Sequence, residues 1–345
     1  MGFINGGSVR HFGVGRFFFI LVALAMLSSC RRLEPTVVEG EAQGTYYRVC
    51  YYDSRDLRPQ IDSLLHAFDL SASLWVDSSL LRRLNNNQTD SLDATLEELL
   101  LYSLYIYDYT GCAFDCRVGR LVQAWGFSFT ARNEPDSIQL AAMLEAARGD
   151  VYVDGGRLVK QNPETELDFN AIAQGYSVDL LARMMDGLGV ANYLVDVGGE
   201  VIARGGKAGG NPWRVGIERP ANERYDAPEV QTVVALNNAS LVTSGSYRKY
   251  YERDGVRYSH TIDPTTGRPV EHSLLSVSVV DNECWRADAM ATAYMVMGLD
   301  SALSFIAVHR GQPGTDAVMF IYDDGGTLKT YETEEFKSLV IKEND

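Results

Sequence analysis

The sequence predicts an α+β fold of largely antiparallel sheets with packed helices. Three observations predict it. Strand-like stretches arrive in meanders rather than in regular alternation with helices, which argues against a doubly wound parallel sheet. Four segments carry apolar residues at helical spacing. A chain of 345 residues, 46% of them apolar, can bury a sizeable core as one unit.

At the N-terminus, Arg10 and Arg16 precede the apolar run "FFFILVALAML" (Phe17 to Leu27), whose 11 residues are too few to cross a bilayer and suit a signal-peptide core. "LSSC" follows and resembles a bacterial lipobox, with Cys30 as the lipidated residue; an ordinary secretory signal with an incidental cysteine is the plainer alternative. The expected organisation is a signal peptide over 1–29, a lipidated cysteine and polar tether over 30–41, and one folded unit over 42–345. That places the protein lipid-anchored to a bacterial membrane, on the periplasmic side.

"TYYRVCYY" (Thr45 to Tyr52) is rich in β-formers and predicts a strand. Ile61, Leu64, Leu65 and Phe68 predict a helix ending near the Ser-rich turn before Trp75. Leu92 to Tyr109 predicts a second, Asp136 to Arg148 a third and Ala171 to Leu188 a fourth. "RLVK", "YLVDVGG", "WRVGIE", "TVVAL", "LLSVSVV" and "AVMFIY" predict strands between and after them.

Forty-six acidic against 31 basic residues give a formal charge of −15, which excludes a phosphate-backbone-binding surface and with it nucleic acid as a partner. Beyond Cys30 the cysteines are Cys50, Cys112, Cys116 and Cys284. No CxxC pair or second His/Cys cluster supports a metal or redox site there, which leaves buried thiols or one disulfide.

Five stretches carry chemistry, each with a plainer alternative. "GCAFDCRVGRLVQAWGF" (Gly111 to Phe127) sets a carboxylate beside an aromatic, and alone it suits a loop packed on a core. "LDFNAIAQGYSVDLLARM" places Asp168 as an N-cap or first-turn acid before a helix that opens through small residues; such a start accepts phosphate oxygens or merely packs closely. "YLVDVGGEVIARGG" carries a double glycine after a strand, for which an ordinary hairpin is the safer reading. "SLVTSGSYRKYYERDGVRYSHTIDPTTGRPV" offers hydroxyls, a hairpin turn at "RDG", and His260 as either a general acid–base or a structural partner of Asp263. In "CWRADAMATAYMVMG", Ala287, Met290, Tyr294 and Met297 form a buried stripe. Asp288 and Thr292, four apart, share another face and suit Mg²⁺, or else cap and back-bond an ordinary helix.

Taken together and in this order, "FDxxVGxLVxxWGF", "DxxAIAxGYxVD", "VGGE", "TSGxYxxYYxxDGxxYSHxIDPxTGxPV" and "ADAxAT" resemble the ApbE family, the FAD:protein FMN transferases, usually lipoproteins. The resemblance covers Ala42 to Gly298 and implies an ApbE-like, T-fold-like architecture. It implies an enzyme that takes FAD, breaks its pyrophosphate, transfers FMN to a Thr or Ser hydroxyl of a partner protein, and releases AMP. FAD hydrolysis to FMN and AMP, or FAD carriage without turnover, are the competing functions.

By the same resemblance, Asp288, Thr292 and the carbonyl of Ala171 are Mg²⁺ ligands, and His260 and Asp288 are catalytic. Gln43, Trp75, Ala113, Phe114, Asp115, Asp168, Gln174 and Ile262 contact FAD. Trp75 supplies an aromatic plane for stacking, the alternative being a core Trp. The acceptor is expected in an extracytoplasmic subunit of a respiratory redox complex. Four departures stand out: Cys116-Arg117 for Pro-Thr, Arg120 for Pro, Gln174 for Lys and Gln43 for Met. The lost Lys removes a cation near the nucleotide, for which Arg117 is the replacement on offer.

Overall fold

A central sheet of eight strands orders the structure. The computed structural model describes residues 34–127, 135–220, 229–246, 250–253, 256–259 and 261–342, with the backbone alone for 250–253 and 256–259. The strands are β1 (Thr36–Ala42), β2 (Thr45–Tyr51), β3 (Tyr193–Val197), β4 (Glu200–Arg204), β5 (Ala239–Gly245), β6 (Leu274–Asp281), β7 (Ala317–Asp323) and β8 (Leu328–Glu332). They lie side by side in chain order and every neighbouring pair is antiparallel, as the meandering sequence predicts. Pro35–Asp345 makes one folding unit.

Among the described residues eight helices accompany the sheet: α1 (Arg58–Ala72), α2 (Leu80–Asn85), α3 (Ala94–Tyr109), α4 (Gly119–Ala124), α5 (Ser137–Ala147), α6 (Ala173–Gly187), α7 (Cys284–Val308) and α8 (Glu334–Lys337). On one face of the sheet, Val195, Val242, Val277, Val279, Val318 and Phe320 join α1, α3, α6 and α7 in the main core. On the other, Val201, Leu241, Met319 and Ile321 pack on a hairpin of Trp213–Glu218 and Val230–Leu236. Strands buried on both faces explain why "AVMFIY" reads as a continuous apolar run, and why the serines that alternate with valines in "LLSVSVV", Ser276 and Ser278, are buried as well.

The fold begins earlier than Ala42. Residues 36–41, expected as tether, belong with Ala42 to the edge strand β1, with Val38 buried and each residue paired to β2. With Val38 the strand's one buried residue and the adjacent Val37 exposed, the stretch shows no apolar alternation in sequence. Cys30 and the 1–29 leader lie outside the described residues. The α1, α3, α5 and α6 boundaries fall within a few residues of expectation, whereas α7 runs past Gly298, where the backbone leaves helical geometry at φ 72°. All four described cysteines are free, with Cys116 and Cys284 buried. Among the described residues no three His, Cys, Asp or Glu side chains converge as a metal cluster.

Candidate functional site

The site grows where α6 meets α7. Gly175 lies in the first turn of α6, and a Cβ on it would stand 2.5 Å from the Cys284 carbonyl oxygen and 2.8 Å from Asp288 Cβ. Only glycine lets the two helices approach this closely. The approach brings the Gly175 N–H to Asp288 Oδ2 at 3.0 Å. The first N–H groups of a helix have no ladder partner, and the chain leaves helical geometry at Ile172 (φ −151°), so the Ala171 carbonyl lies outside the ladder. No hydrogen bond reaches Ala171 O among the described residues, nor Asp288 Oδ1.

One turn along α7 from Asp288, the Thr292 hydroxyl lies 3.3 Å from Ser244 Oγ on β5. Asp288 is 5% exposed. Burial, and to a lesser degree the charge of Asp179, holds its carboxyl well above the usual carboxylate range. A buried acid, a hydroxyl and a carbonyl outside the helical ladder are hard oxygen donors, and so fit a small divalent cation that draws its remaining ligands from water or phosphate.

Asp179, one turn beyond Gly175, was not singled out from sequence. Its two oxygens accept from the Cys284 N–H (3.0 Å) and the Trp285 N–H (2.7 Å), across from α6 to the start of α7. The final acid of "GYSVD" was the only signal in sequence.

A second group joins this one through the chain. The Asp168 N–H donates to Cys116 O at 2.7 Å, and Glu166 bridges Val118, so the segment carrying Asp115 is stitched to the segment entering α6. Asn85 clamps the same segment, bonding both the N–H and the carbonyl of Leu167 at 2.8 Å. It too was missed, since nothing in "NNN" distinguishes one amide from the next. Asp168 is not the helix cap expected of it: α6 starts at Ala173, and Asp168 Oδ1 instead accepts from the Asn170 N–H at 2.8 Å.

Burial pushes the Asp168 carboxyl up to about 6. The unfolded value is lower, so the folded state holds the proton between about pH 4 and 6, and this group's contribution to stability falls as pH rises through that window. Asp168→Asn should remove that slope and stabilise the ligand-free protein at pH 7 by roughly 2–3 kcal/mol. Thermal melts of both proteins across pH 4–8 check it.

Asp115 and Arg117 form a fork-like ion pair at 2.8 and 3.0 Å, both nearly buried, and the guanidinium lies 4.2 Å from the Tyr107 ring centroid. Arg117 is therefore not a spare cation for a nucleotide: its charge is already matched by Asp115. Ala113 is half-buried, and the Phe114 side chain belongs to the main core, leaving its backbone as what it offers a ligand.

Around the head of α6 sit two turns. Gly198, between β3 and β4, has φ 62°, and a Cβ there would meet Gln174 Nε2 at 2.4 Å and Thr45 Cγ2 at 2.7 Å. In the β1–β2 turn Gln43 and Gly44 both take positive φ, as a two-residue hairpin loop of this hand requires. Gln43 Nε2 is buried with no hydrogen-bond partner, a donor that a bound acceptor atom would satisfy.

Trp75 stands on the turn after α1 at 58% exposure, so it is no core residue. Ile262 lies apart, buried against Leu121, Trp125 and Leu140 in a separate small cluster. Asp263 is committed to the Thr265 N–H and the Thr266 hydroxyl. His260 lies outside the described residues.

Against this geometry stand the known proteins that the chain is similar to. FAD:protein FMN transferase of Vibrio cholerae is 34% identical over 337 residues, covering 93% of this chain and 98% of that protein. The protein of the same name from Escherichia coli K12 is 35% identical over 329 residues, covering 90% of this chain and 91% of its own length. The solved structure of the flavin transferase ApbE from Vibrio cholerae superposes with a TM-score of 0.77 at 32% identity, covering 89% of this chain and 99% of that one. The ApbE family model matches residues 43–319, and the chain belongs to the ApbE family.

Proposed function

We propose that the protein cleaves FAD and transfers its FMN half to a Ser or Thr hydroxyl of an acceptor protein, releasing AMP. One observation carries the reading: Asp288 spends one oxygen on the Gly175 N–H at the head of α6, while its other oxygen, the Thr292 hydroxyl and the Ala171 carbonyl are hard donors for a cation near the head of the helix that bears Gln174. That cation would be Mg²⁺, whose chemistry when bound is to offset phosphate charge and polarise the phosphoryl oxygens.

The acceptor hydroxyl oxygen attacks the phosphorus of the FMN half, and the pyrophosphate P–O bond breaks. AMP leaves with the electron pair, and the hydroxyl proton passes to a base. His260 is the residue proposed as that base. The chain's other groups bind and orient. Ser244 holds the Thr292 hydroxyl, Gln43 Nε2 offers a donor, Asp168 an acceptor, and Trp75 an aromatic face for the flavin.

The test incubates the chain from Arg31 onward with FAD and Mg²⁺, with and without a Thr-containing acceptor domain, following AMP and acceptor mass together. A Mg²⁺-dependent mass gain equal to FMN supports transfer. AMP without any acceptor means hydrolysis, and FAD binding without AMP in either case means a carrier; both reject the transferase. His260→Ala should keep FAD affinity within about twofold and slow transfer at least about 100-fold. Trp75→Ala should weaken FAD binding about 3- to 10-fold by fluorescence titration with no change in melting temperature, because so exposed a ring supports little of the core.

The same reading includes a lipid anchor at Cys30, on the periplasmic side of a bacterial membrane, and an acceptor in an extracytoplasmic subunit of a respiratory redox complex. The anchor's basis is the apolar leader ending in "LSSC", and the acceptor's is the family resemblance. Mass spectrometry of the mature N-terminus decides the anchor, and an unmodified Cys30 rejects it.

A further inference from the structure

Neither α6 nor α7 is capped by its own chain. Their N-cap residues, Ile172 and Glu283, make no side-chain cap hydrogen bond. Each helix is instead capped by the other. Asp288 of α7 takes the Gly175 N–H in the first turn of α6, and Asp179 of α6 takes the Cys284 and Trp285 N–H groups that open α7. The two exchanges are one turn apart on both helices, with Gly175 and Asp179 facing Cys284 and Asp288.

A cap that served α7 alone would be cheaper in the local chain, where Ser, Thr, Asp or Asn at the N-cap is usual and solvent shares the charge. Here the carboxylate is 3% exposed. Arg183, one turn further along α6, is paired with Glu98 at 2.9 Å rather than with Asp179. What the buried arrangement adds is a tie between the two halves of the oxygen set: Ala171 O at the head of α6, and Asp288 with Thr292 on α7.

We propose that Asp179 is the positioning residue of the cation site, clamping the first turn of α7 so that Asp288 and Thr292 are held towards the Ala171 carbonyl at the head of α6. The inference rests on the reading of those three as Mg²⁺ ligands. Only a carboxylate suits the post. Two N–H groups at 3.0 and 2.7 Å need two acceptor atoms, and a negative charge at a helix N-terminus adds a favourable dipole term. Asparagine would turn one of those acceptors into a donor aimed at an N–H.

The test uses Mg²⁺ alone as probe, with the whole chain and no FAD. Wild type and Asp179→Asn are titrated with Mg²⁺ while the melting temperature is followed, and FAD affinity is measured separately. Removing a group that orients metal ligands should raise the Mg²⁺ midpoint about 10- to 100-fold with FAD affinity within about twofold. A variant with a lowered melting temperature but the wild-type Mg²⁺ midpoint makes Asp179 a cap and nothing more, and overturns the proposal.

Hydrogen exchange on the wild-type protein answers independently of whether the variant folds. Saturating Mg²⁺ should slow exchange at the Cys284 and Trp285 amides by a larger factor than in β8; equal factors overturn the proposal. A wild-type protein with no Mg²⁺ response overturns the cation site itself, whereas a normal wild-type response with an unshifted Asp179→Asn midpoint overturns only the role of Asp179.

Discussion

Asp288→Ala abolishes Mg²⁺-dependent AMP release, with turnover falling at least about 1,000-fold. The size of the effect follows from two jobs held by one carboxylate. Its Oδ1 is the oxygen proposed for the cation, and its Oδ2 accepts the Gly175 N–H at the head of α6. Alanine removes the first and leaves the buried Gly175 N–H without its acceptor. One substitution ends both.

Asp288→Asn separates these jobs. An amide oxygen still accepts from Gly175, while the charge is gone. The variant should melt at or above the wild-type temperature, since a neutral side chain no longer carries the burial cost that raises the Asp288 carboxyl, yet it should remain at least about 100-fold slower. AMP release over a Mg²⁺ series, paired with thermal melts, checks both variants. Turnover of Asp288→Ala within tenfold of wild type would remove Asp288 from the site.

Gly175→Ala should damage both stability and rate. The added Cβ meets a backbone carbonyl at 2.5 Å, a contact that no side-chain rotation relieves, so α6 and α7 must part by about 1 Å to restore van der Waals distance. Parting them stretches the 3.0 Å bond to Asp288 and both bonds of Asp179 towards the end of the hydrogen-bond range. Overpacking of this kind costs about 1–3 kcal/mol and lowers the melting temperature by roughly 3–10 °C. Displacing ligand groups by an ångström costs about 100-fold in rate. Calorimetry and AMP release measure the two effects on one sample, and a wild-type rate would sink the idea that helix spacing sets the donor geometry.

What the sequence displayed, and what it hid, divides along a physical line. Asp288 and Thr292 were legible because helical spacing alone puts them on one face, and the buried stripe of Ala287, Met290 and Tyr294 fixes which face is inward. The meander was legible because turn signals separate the strands. Asp179 and Asn85 were not, because each acts on backbone amides or carbonyls from another part of the chain, and such partners leave no periodicity. Arg117 misled for the same reason in reverse. It carries a charge that looks available in one dimension, while the structure sets it against Asp115 two residues away and under Tyr107.

The sheet's strand order has a kinetic consequence. β2 pairs with β3, yet roughly 140 residues, nearly all the helices of the main core among them, separate the two in the chain; the Tyr52 N–H meets Asn192 O at 3.0 Å where that long excursion closes. Closing so large a loop is entropically slow, and pairings of this sequence separation dominate folding times. At about 5–20 residues per second, the β1–β2 hairpin leaves the ribosome roughly 7–30 seconds before its partner strand exists. Throughout that interval β2 presents Tyr47, Val49 and Tyr51 on an unpaired edge, a template for pairing with the wrong chain. The arrangement that brings the β1–β2 turn to the head of α6 thus leaves the nascent chain dependent on whatever shields that edge until Tyr193 arrives.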